Sequence, residues 1–203
     1  MSKYKDRFNR SYQDRVGQYP RHSFLTNNSI ELAKFLNDNN LLKDNINIFE
    51  MGSGGCRNLK YINDLNKTVN LFASDLYKDA SFKNMHESIK DKVTFIEMDT
   101  LTLVRNFEND YDIDILISSD HLMHIDKESV VEIIDKIKTK LKPKYVLLRE
   151  LFSKDGEEIN RDWPRVYHEY NLEDVYDIVE VVECSKNPEW YSLKLYKLNE
   201  EMI

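Results

Sequence analysis

The stretch "IFEMGSGGCRN", residues 48 to 58, decides the fold of this chain. It begins as an apolar run that contains one acid, Glu50, and continues with three glycines, Gly52, Gly54 and Gly55. The whole chain of 203 residues has only five glycines. Glycine adopts backbone conformations that other residues avoid, and it lets a ligand approach the main chain closely. We therefore expect a buried strand that ends in a tight turn built to hold a ligand.

The hydrophobic pattern on both sides of this stretch predicts strands that alternate with helices. Five segments have the character of buried strands: 46–51, 68–75, 92–99, 112–120 and 144–151. Two further strands lie near the C-terminus and are joined by "SKNPE", which is typical of a hairpin turn. Alternation predicts a parallel sheet with helices on both faces, and the hairpin adds one antiparallel strand. The prediction is an α/β fold with a seven-stranded mixed sheet.

The length of the chain suits one domain, residues 1–203. Helical spacing begins at Asn28, and Asn27 or Asn28 is a suitable N-cap, so we expect the core to span 28–203. Residues 1–27 are polar with scattered aromatic side chains. We interpret them as a possible N-terminal lid, with a simple appendage as the alternative.

Composition limits the classes of partner. Hydrophobic residues make up 41% and charged residues 32% of the chain, and the net charge is -7 with no basic stripe. A partner held by its phosphate backbone, such as nucleic acid, is therefore not expected. Apolar runs are too short for a membrane span, and the N-terminus lacks a secretory signal. The chain has only two cysteines, which is typical of a cytoplasmic protein, and this location is therefore predicted. The sequence does not indicate an oligomeric state.

The glycine motif resembles the first motif of class I S-adenosylmethionine-dependent methyltransferases. The matching residues are Glu50-x-Gly52-x-Gly54, and "FEMGSGGCRNLKYI" looks like the variant in which Gly-Arg-Asn opens the helix. Cys56, another small residue, replaces the third glycine of the family pattern. The resemblance extends over about residues 45 to 200. It implies a Rossmann-like sheet and S-adenosyl-L-methionine as cofactor.

The same resemblance implies a set of cofactor contacts. Asp75 ends the second strand, where an ionised carboxylate can accept hydrogen bonds from both ribose hydroxyls. In the family, the acid at the position of Asp99 lies near the adenine amino group, and the counterpart of Leu76 packs on the purine. The fourth strand ends in "ISSDHLMHID", whose counterpart lines the methionine end and the acceptor pocket. The predicted cofactor-binding residues are Glu50, Gly52, Ser53, Gly54, Asn58, Asp75, Leu76, Asp99, Thr100 and Ser118.

Each of these assignments has a simpler structural alternative. The glycines can form a tight turn with no ligand, and Asp75 or Asp99 can cap a helix or lie in an exposed turn. A nicotinamide-binding domain is the nearest competitor, but its fingerprint needs a glycine at the third position and usually lacks an acid before the first. Glu50 and the terminal hairpin favour the methyltransferase.

His121 is the predicted catalytic residue. It follows the fourth strand, where an acceptor approaches the methyl group, and a neutral imidazole can take the proton that the acceptor loses. The alternative is an exposed loop histidine. A metal held by His121 and His124, with Asp120 and Asp126 beside them, is not expected, because Arg149-Glu150 stands where metal-dependent relatives carry Asp-Asn.

Six residues are candidates for the acceptor pocket because of their positions in the chain. They follow the fourth or fifth predicted strand, belong to the segment "RDWPRVYHEY", or lie in the possible lid. His168 is also a rival to His121 as the base. For the arginine and glutamate of the set, the alternative is a surface ion pair of little energetic value. The candidates are Tyr19, His124, Arg149, Glu150, Tyr167 and His168.

The predicted function is methyl transfer from S-adenosyl-L-methionine to a small molecule. The acceptor atom is expected to be oxygen of a hydroxylated metabolite or sugar derivative, with nitrogen as the alternative. A methyltransferase of protein or RNA is a second alternative, which the charge balance and the absence of an Asn-Pro-Pro-Tyr-like motif disfavour. A catalytically silent, cofactor-binding scaffold is the third.

Overall fold

The computed structural model describes residues 23–108, 112–151, 158–159, 165–166, 168–183 and 191–202. The possible lid therefore lies largely outside the described residues, and only its last five residues are seen, as the start of a helix. No helix in the described part of the chain is long and apolar enough to cross a membrane.

A seven-stranded sheet forms the centre of the structure. Its strands are β1 (Asn47–Met51), β2 (Asn70–Asp75), β3 (Val93–Glu97), β4 (Ile115–Ser119), β5 (Tyr145–Leu151), β8 (Tyr176–Glu183) and β9 (Tyr191–Leu198), in the order β3-β2-β1-β4-β5-β9-β8. The pairs among β1 to β5 are parallel, whereas β9 is antiparallel to both β5 and β8. The predicted mixed sheet with one antiparallel strand in a C-terminal hairpin is confirmed.

The remaining elements connect the strands. The helices are α1 (Ser23–Asp38), α2 (Arg57–Leu65), α3 (Lys78–Asn84), α4 (Glu87–Lys90), α5 (Thr100–Asn106) and α6 (Lys127–Lys136). A π-helical segment, Ile137–Leu141, extends α6, and short 3-10 turns occupy Leu122–His124 and Glu200–Met202. Strands β6 (Glu158–Ile159) and β7 (Arg165–Val166) form a separate two-stranded ladder.

Both faces of the central parallel strands β1, β4 and β5 are buried, as parallel sheets require, whereas the edge strand β8 is largely exposed. Ile48 and Ile115 face a core that includes Leu36 of α1 and Ile62 of α2. The next residue along each strand points the other way, so Phe49 and Leu116 belong to a second core, which contains residues of α5 and α6. This alternation explains the near-continuous apolar runs, and it leaves the carboxyl ends of the parallel strands as the place for polar side chains.

Two helix starts show how this chain caps its helices. Asp126 caps α6 because its carboxylate accepts a hydrogen bond from the Ser129 amide at 2.9 Å. The prediction that Asn27 or Asn28 caps the first helix was wrong, since α1 begins at Ser23 and both asparagines lie inside it. The periodic apolar residues that suggested a start at Asn28 mark only the part of the helix that packs on the sheet.

Candidate functional site

The turn after β1 uses left-handed backbone conformations at three positions. The φ angles are 60° at Gly52, 51° at Gly54 and 53° at Cys56. Cys56 therefore replaces glycine at a position where the missing Cβ matters, since a left-handed conformation costs a non-glycine residue about 1–2 kcal/mol. The small size of cysteine explains why its side chain can be buried there, but it does not relieve this cost. Gly55 is needed for space, because a Cβ would lie 3.0 Å from the carbonyl oxygen of Asn84.

The imidazole of His121 lies directly on the first glycine of the turn. A Cβ on Gly52 would lie 2.1 Å from both Cγ and Nδ1 of His121. The ring is held there by a 2.7 Å hydrogen bond between its Nε2 and the hydroxyl of Thr100. Burial lowers the pKa of His121, and the nearby charge of Asp75 opposes that shift. The ring is therefore neutral near pH 7, and it covers main chain that the sequence suggested would face a ligand.

Glu50 ends β1 as a buried carboxylate. Its Oε1 accepts a hydrogen bond of 2.6 Å from the side-chain amide of Asn58, in the first turn of α2. Its Oε2 is buried and has no hydrogen-bond partner among the described residues. Burial raises the pKa of Glu50 to about 8, and the hydrogen bond from Asn58 opposes the rise. A buried polar atom without a partner is uncommon, so this oxygen marks a place for a polar group of a ligand.

Asp75 ends β2 beside the glycine turn. Its Oδ2 accepts a hydrogen bond from the Gly54 amide at 2.9 Å, and its Oδ1 lies 3.4 Å from the Tyr77 amide. A carboxylate has about four acceptor positions. The side chain is only half-buried, so it can still accept hydrogen bonds from a ligand. Ser53, the next predicted contact, is buried, and its amide donates to the carbonyl of Ser74 at 3.0 Å.

The end of β3 supplies a helix cap and a partner for the histidine. Asp99 is the N-cap of α5 and accepts hydrogen bonds from the amide and the hydroxyl of Thr102, at 3.0 and 2.7 Å. The capping alternative for Asp99 therefore describes its geometry, while the adenine contact stays a prediction. Thr100 is buried against His121. Leu76 is half-buried next to Asp75, as a residue that packs on a ligand would be.

The acid near the end of β5, Glu150, forms its hydrogen bonds with other residues of the protein. Glu150 is fully buried, and its Oε1 accepts hydrogen bonds from the Ser118 hydroxyl at 2.7 Å and from the amides of His121 and Leu122 at 3.0 Å. Its Oε2 lies 3.3 Å from the Met123 amide. The contacts of Ser118 with the cofactor and of Glu150 with the acceptor stay predictions. In this structure the two side chains bind each other, and Glu150 also binds the loop after β4.

Two other candidates for the acceptor pocket also hold that loop. Arg149 is buried, and its guanidinium donates to the Asp120 carboxylate at 3.0 Å, so the alternative of a surface ion pair was wrong. His168 is buried, and its Nε2 donates to the carbonyl of Ile125 at 3.1 Å. Burial lowers the pKa of His168. With that nitrogen bound to a backbone carbonyl, His168 is poorly placed as the rival base.

The ion pair of Asp120 is the feature that sequence reasoning missed. Asp120 has a φ of 56°, in the left-handed region, where Asp and Asn are enriched among non-glycine residues. An aspartate directly after a strand was the available signal for such a turn. His124 lies four residues after Asp120 and is half-buried in the 3-10 turn. Tyr19 and Tyr167 lie outside the described residues.

The possible metal ligands do not converge. Asp120 pairs with Arg149, Asp126 caps α6, and His121 binds Thr100. Within the part of the chain that the structure describes, no group of three or more His, Cys, Asp or Glu side chains is placed to hold a metal ion.

Comparison with solved structures identifies the fold. The chain is similar to 1,6-didemethyltoxoflavin-N1-methyltransferase from Burkholderia thailandensis, with 14% identity, a TM-score of 0.69, and coverage of 98% of this chain and 92% of the other. It is also similar to a putative sarcosine dimethylglycine methyltransferase from Galdieria sulphuraria, with 13% identity, a TM-score of 0.64, and coverage of 90% and 89%. The fold is therefore the Rossmann-like fold that these two methyltransferases have.

Other similarities show the same fold. The glycopeptide N-methyltransferase MtfA, crystallised with S-adenosyl-L-methionine, shares 13% identity at a TM-score of 0.60, with coverage of 84% of this chain and 94% of that one. TehB from Haemophilus influenzae shares 16% identity at a TM-score of 0.60, and the chain, 82% of which is matched, spans 62% of TehB's length. The sequence matches no protein-family model. It also matches none of the curated proteins.

Proposed function

We propose that this protein is an S-adenosyl-L-methionine-dependent methyltransferase that acts on a small-molecule acceptor. The observation that supports this most directly is the set of polar groups at the carboxyl ends of adjacent strands around one left-handed glycine turn. Glu50, Asp75, Asp99 and Ser118 end or follow four neighbouring strands of the sheet. Ligands of open α/β sheets bind at these ends.

The residues of the β1–β2 side fit the proposed cofactor. Asp75 offers a half-buried carboxylate for ribose hydroxyls. Glu50 keeps its proton at neutral pH in the absence of a ligand, because burial raises its pKa to about 8. The donors or the positive charge of the methionine part would favour its ionised form, in which the unpartnered Oε2 is a buried acceptor. When bound, this cofactor supplies an electrophilic methyl group on a sulfonium. The protein's task is then to hold the acceptor in line at near-attack distance and to accept a proton.

His121 is the proposed proton acceptor. Its lowered pKa keeps the ring neutral, which a base requires, and it borders both the glycine turn and the loop after β4. Its Nε2 already shares a hydrogen bond with Thr100. An acceptor that uses Nε2 must replace the threonine hydroxyl or pass its proton through it, whereas an acceptor that uses Nδ1 must approach over Gly52.

The acceptor is proposed to be a small hydroxylated metabolite, with methylation at oxygen. N-methylation is the alternative, and it is supported by the similarity of the fold to an N1-methyltransferase and a glycopeptide N-methyltransferase. The net charge of -7 argues against nucleic acid as substrate. A cytoplasmic location stays a prediction from the two cysteines.

One observation favours a second candidate, a catalytically silent scaffold. The ring of His121 fills the space over Gly52, where the glycine would otherwise admit a ligand. A ligand that lies over this turn must displace the ring or pass beside it. A protein that has retained the glycine turn but no longer admits a ligand there would show the same contact between His121 and Gly52.

Calorimetric titration with S-adenosylhomocysteine separates the two candidates. The methyltransferase predicts saturable binding with one site, followed by methyl transfer from labelled S-adenosyl-L-methionine to a member of a panel of small hydroxyl and amine compounds. A closed scaffold predicts neither result. Binding without transfer to any panel member would support a scaffold that binds the cofactor and would reject the enzyme for those acceptors.

A further inference from the structure

The segment between β4 and α6, residues 120–126, is held at three points by Arg149 and Glu150 of β5 and by His168, which follows β7. We call this segment the β4–α6 loop. Arg149 holds its first residue through the 3.0 Å contact with Asp120. His168 holds the carbonyl of Ile125 near its end. Glu150 binds the middle, where His121 is located.

Glu150 accepts hydrogen bonds from, or lies close to, three successive backbone amides of the loop. The amides of His121, Leu122 and Met123 all point at it, at 3.0, 3.0 and 3.3 Å. These amides begin the 3-10 turn Leu122–His124, whose first donors lack partners within the turn. The carboxylate therefore fixes the direction in which the loop leaves β4.

That direction decides where the imidazole of His121 lies. The backbone of His121 is bound to Glu150, while its side chain reaches across β1 to the main chain of Gly52 and to the hydroxyl of Thr100. A small rotation of the loop would move the ring off the glycine turn, because the backbone amide and the ring are attached to the same Cα.

We propose that Glu150 is a positioning residue that places the His121 ring over Gly52 and beside Thr100 by binding the amides of the β4–α6 loop. This inference rests on the proposed function for its catalytic meaning, but the placement itself is a property of the cofactor-free protein. Glu150 does not contact a substrate in this arrangement, since it is fully buried under the loop. Ser118 contributes one hydrogen bond to the same carboxylate oxygen without touching the loop amides.

The test is the Glu150→Gln variant, compared with Ser118→Ala as a matched control. Glutamine keeps the size of the side chain but has one acceptor oxygen instead of two. In one orientation its NH2 group faces the Met123 amide, and in the other it faces the amides of His121 and Leu122, so in either case a donor opposes an amide of the β4–α6 loop. The variant should fold, because glutamine is close in size to glutamate and burial disfavours the charged form of Glu150, raising its pKa. Circular dichroism and a thermal melt establish folding before any other measurement.

The deciding measurement is the NMR spectrum of the histidine rings in the protein without added ligand. His121 is assigned by the loss of its signals in His121→Ala. In Glu150→Gln, the Hε1 and ring-nitrogen resonances of His121 should move by more than their linewidth, while those of the exposed His86 stay in place. In Ser118→Ala, the His121 resonances should stay near their wild-type positions.

Unchanged His121 resonances in folded Glu150→Gln would overturn the proposal and leave Glu150 as a residue of stability only. Equal movement in Ser118→Ala and Glu150→Gln would also overturn it, because the loop amides would then not be the cause. Titration with S-adenosylhomocysteine is a separate measurement on the same samples. If the wild-type protein binds none, the proposed function fails, while the ring resonances still decide the part that Glu150 plays.

Discussion

The two halves of the strand edge use their carboxylates in opposite ways. On the β1–β2 side, Glu50 has a buried oxygen with no partner among the described residues, and Asp75 is half-exposed with two backbone amides near it. On the β4–β5 side, Glu150 accepts three hydrogen bonds at one oxygen and lies near a fourth donor at the other. The first side retains capacity to bind a ligand, whereas the second has used its capacity to hold a loop.

The difference shows that the position of an acidic residue at a strand end does not by itself determine what its side chain binds. Acids at the ends of parallel strands are brought to one edge of the sheet in either case. The backbone around them decides what they bind. In the glycine turn after β1, the amides of Ser53, Gly54 and Cys56 bind groups other than Glu50. After β4, a 3-10 turn presents three amides to Glu150.

The largest expected effect concerns the pH dependence of stability on the β1–β2 side. The pKa of Glu50 is raised to about 8 in the folded protein, so between about pH 4.5 and pH 8 the native state retains a proton that the unfolded chain has lost. The free energy of unfolding should therefore fall as pH rises through this window. Glu50→Gln should remove roughly 3 kcal/mol of that fall between pH 5 and pH 8.

Urea unfolding at several pH values measures the effect, and the exposed Glu128→Gln serves as the control. Glu150 contributes a fall of the same sign, so the quantity to compare is the difference between wild type and Glu50→Gln. If that difference does not change with pH, Glu50 is ionised in the folded protein and its unpartnered oxygen is satisfied in some other way.

Next in size is the effect of His121→Ala on turnover. Loss of a general base typically costs about 10²-fold or more in rate. The affinity for S-adenosylhomocysteine should change much less, because Glu50 and Asp75 remain in place. Initial rates with an acceptor from the panel and titration with S-adenosylhomocysteine give the two values. Equal turnover would remove the base role from His121, and a large gain in affinity would show that the ring blocks the cofactor instead.

The Gly52→Ala variant measures the energetic coupling between Gly52, on the β1–β2 side, and the ring of His121, on the β4–β5 side. The added Cβ would lie 2.1 Å from the His121 ring, and the φ of 60° is unfavourable for alanine, so a loss of about 2–3 kcal/mol is expected. In a His121→Ala background only the backbone cost of about 1 kcal/mol should remain. A double-mutant cycle in urea gives the coupling energy. Gly54→Ala, also at a positive φ, should show no coupling to His121.

A smaller change in free energy is expected for Asp75→Ala on the binding of S-adenosylhomocysteine. Hydrogen bonds to charged groups contribute about 1.5–3 kcal/mol, so the affinity should fall about 30-fold. The exposed Asp79→Ala, in the next helix, is the control. An affinity within the error of wild type would place the ribose elsewhere and would weaken the distinction between the two sides of the sheet.

The sequence was sufficient to predict the sheet because strand and helix periodicities are local. The five parallel strands lie within a few residues of their predicted bounds, and the hairpin supplies the single antiparallel strand. The predicted strands also placed Glu50, Asp75 and Thr100 at the same edge of the sheet. The sequence was not sufficient to assign Arg149, Glu150 and His168, because their partners are groups of a loop whose path depends on tertiary contacts.

The contact between Gly52 and His121 has a consequence for natural variation. Two residues that are far apart in the chain share one volume, so neither can change size independently. In a homologous chain that carries alanine or serine at position 52, we expect a residue much smaller than histidine at position 121. A collection of such chains in which large residues occur at both positions would mean that the loop after β4 takes another path in them.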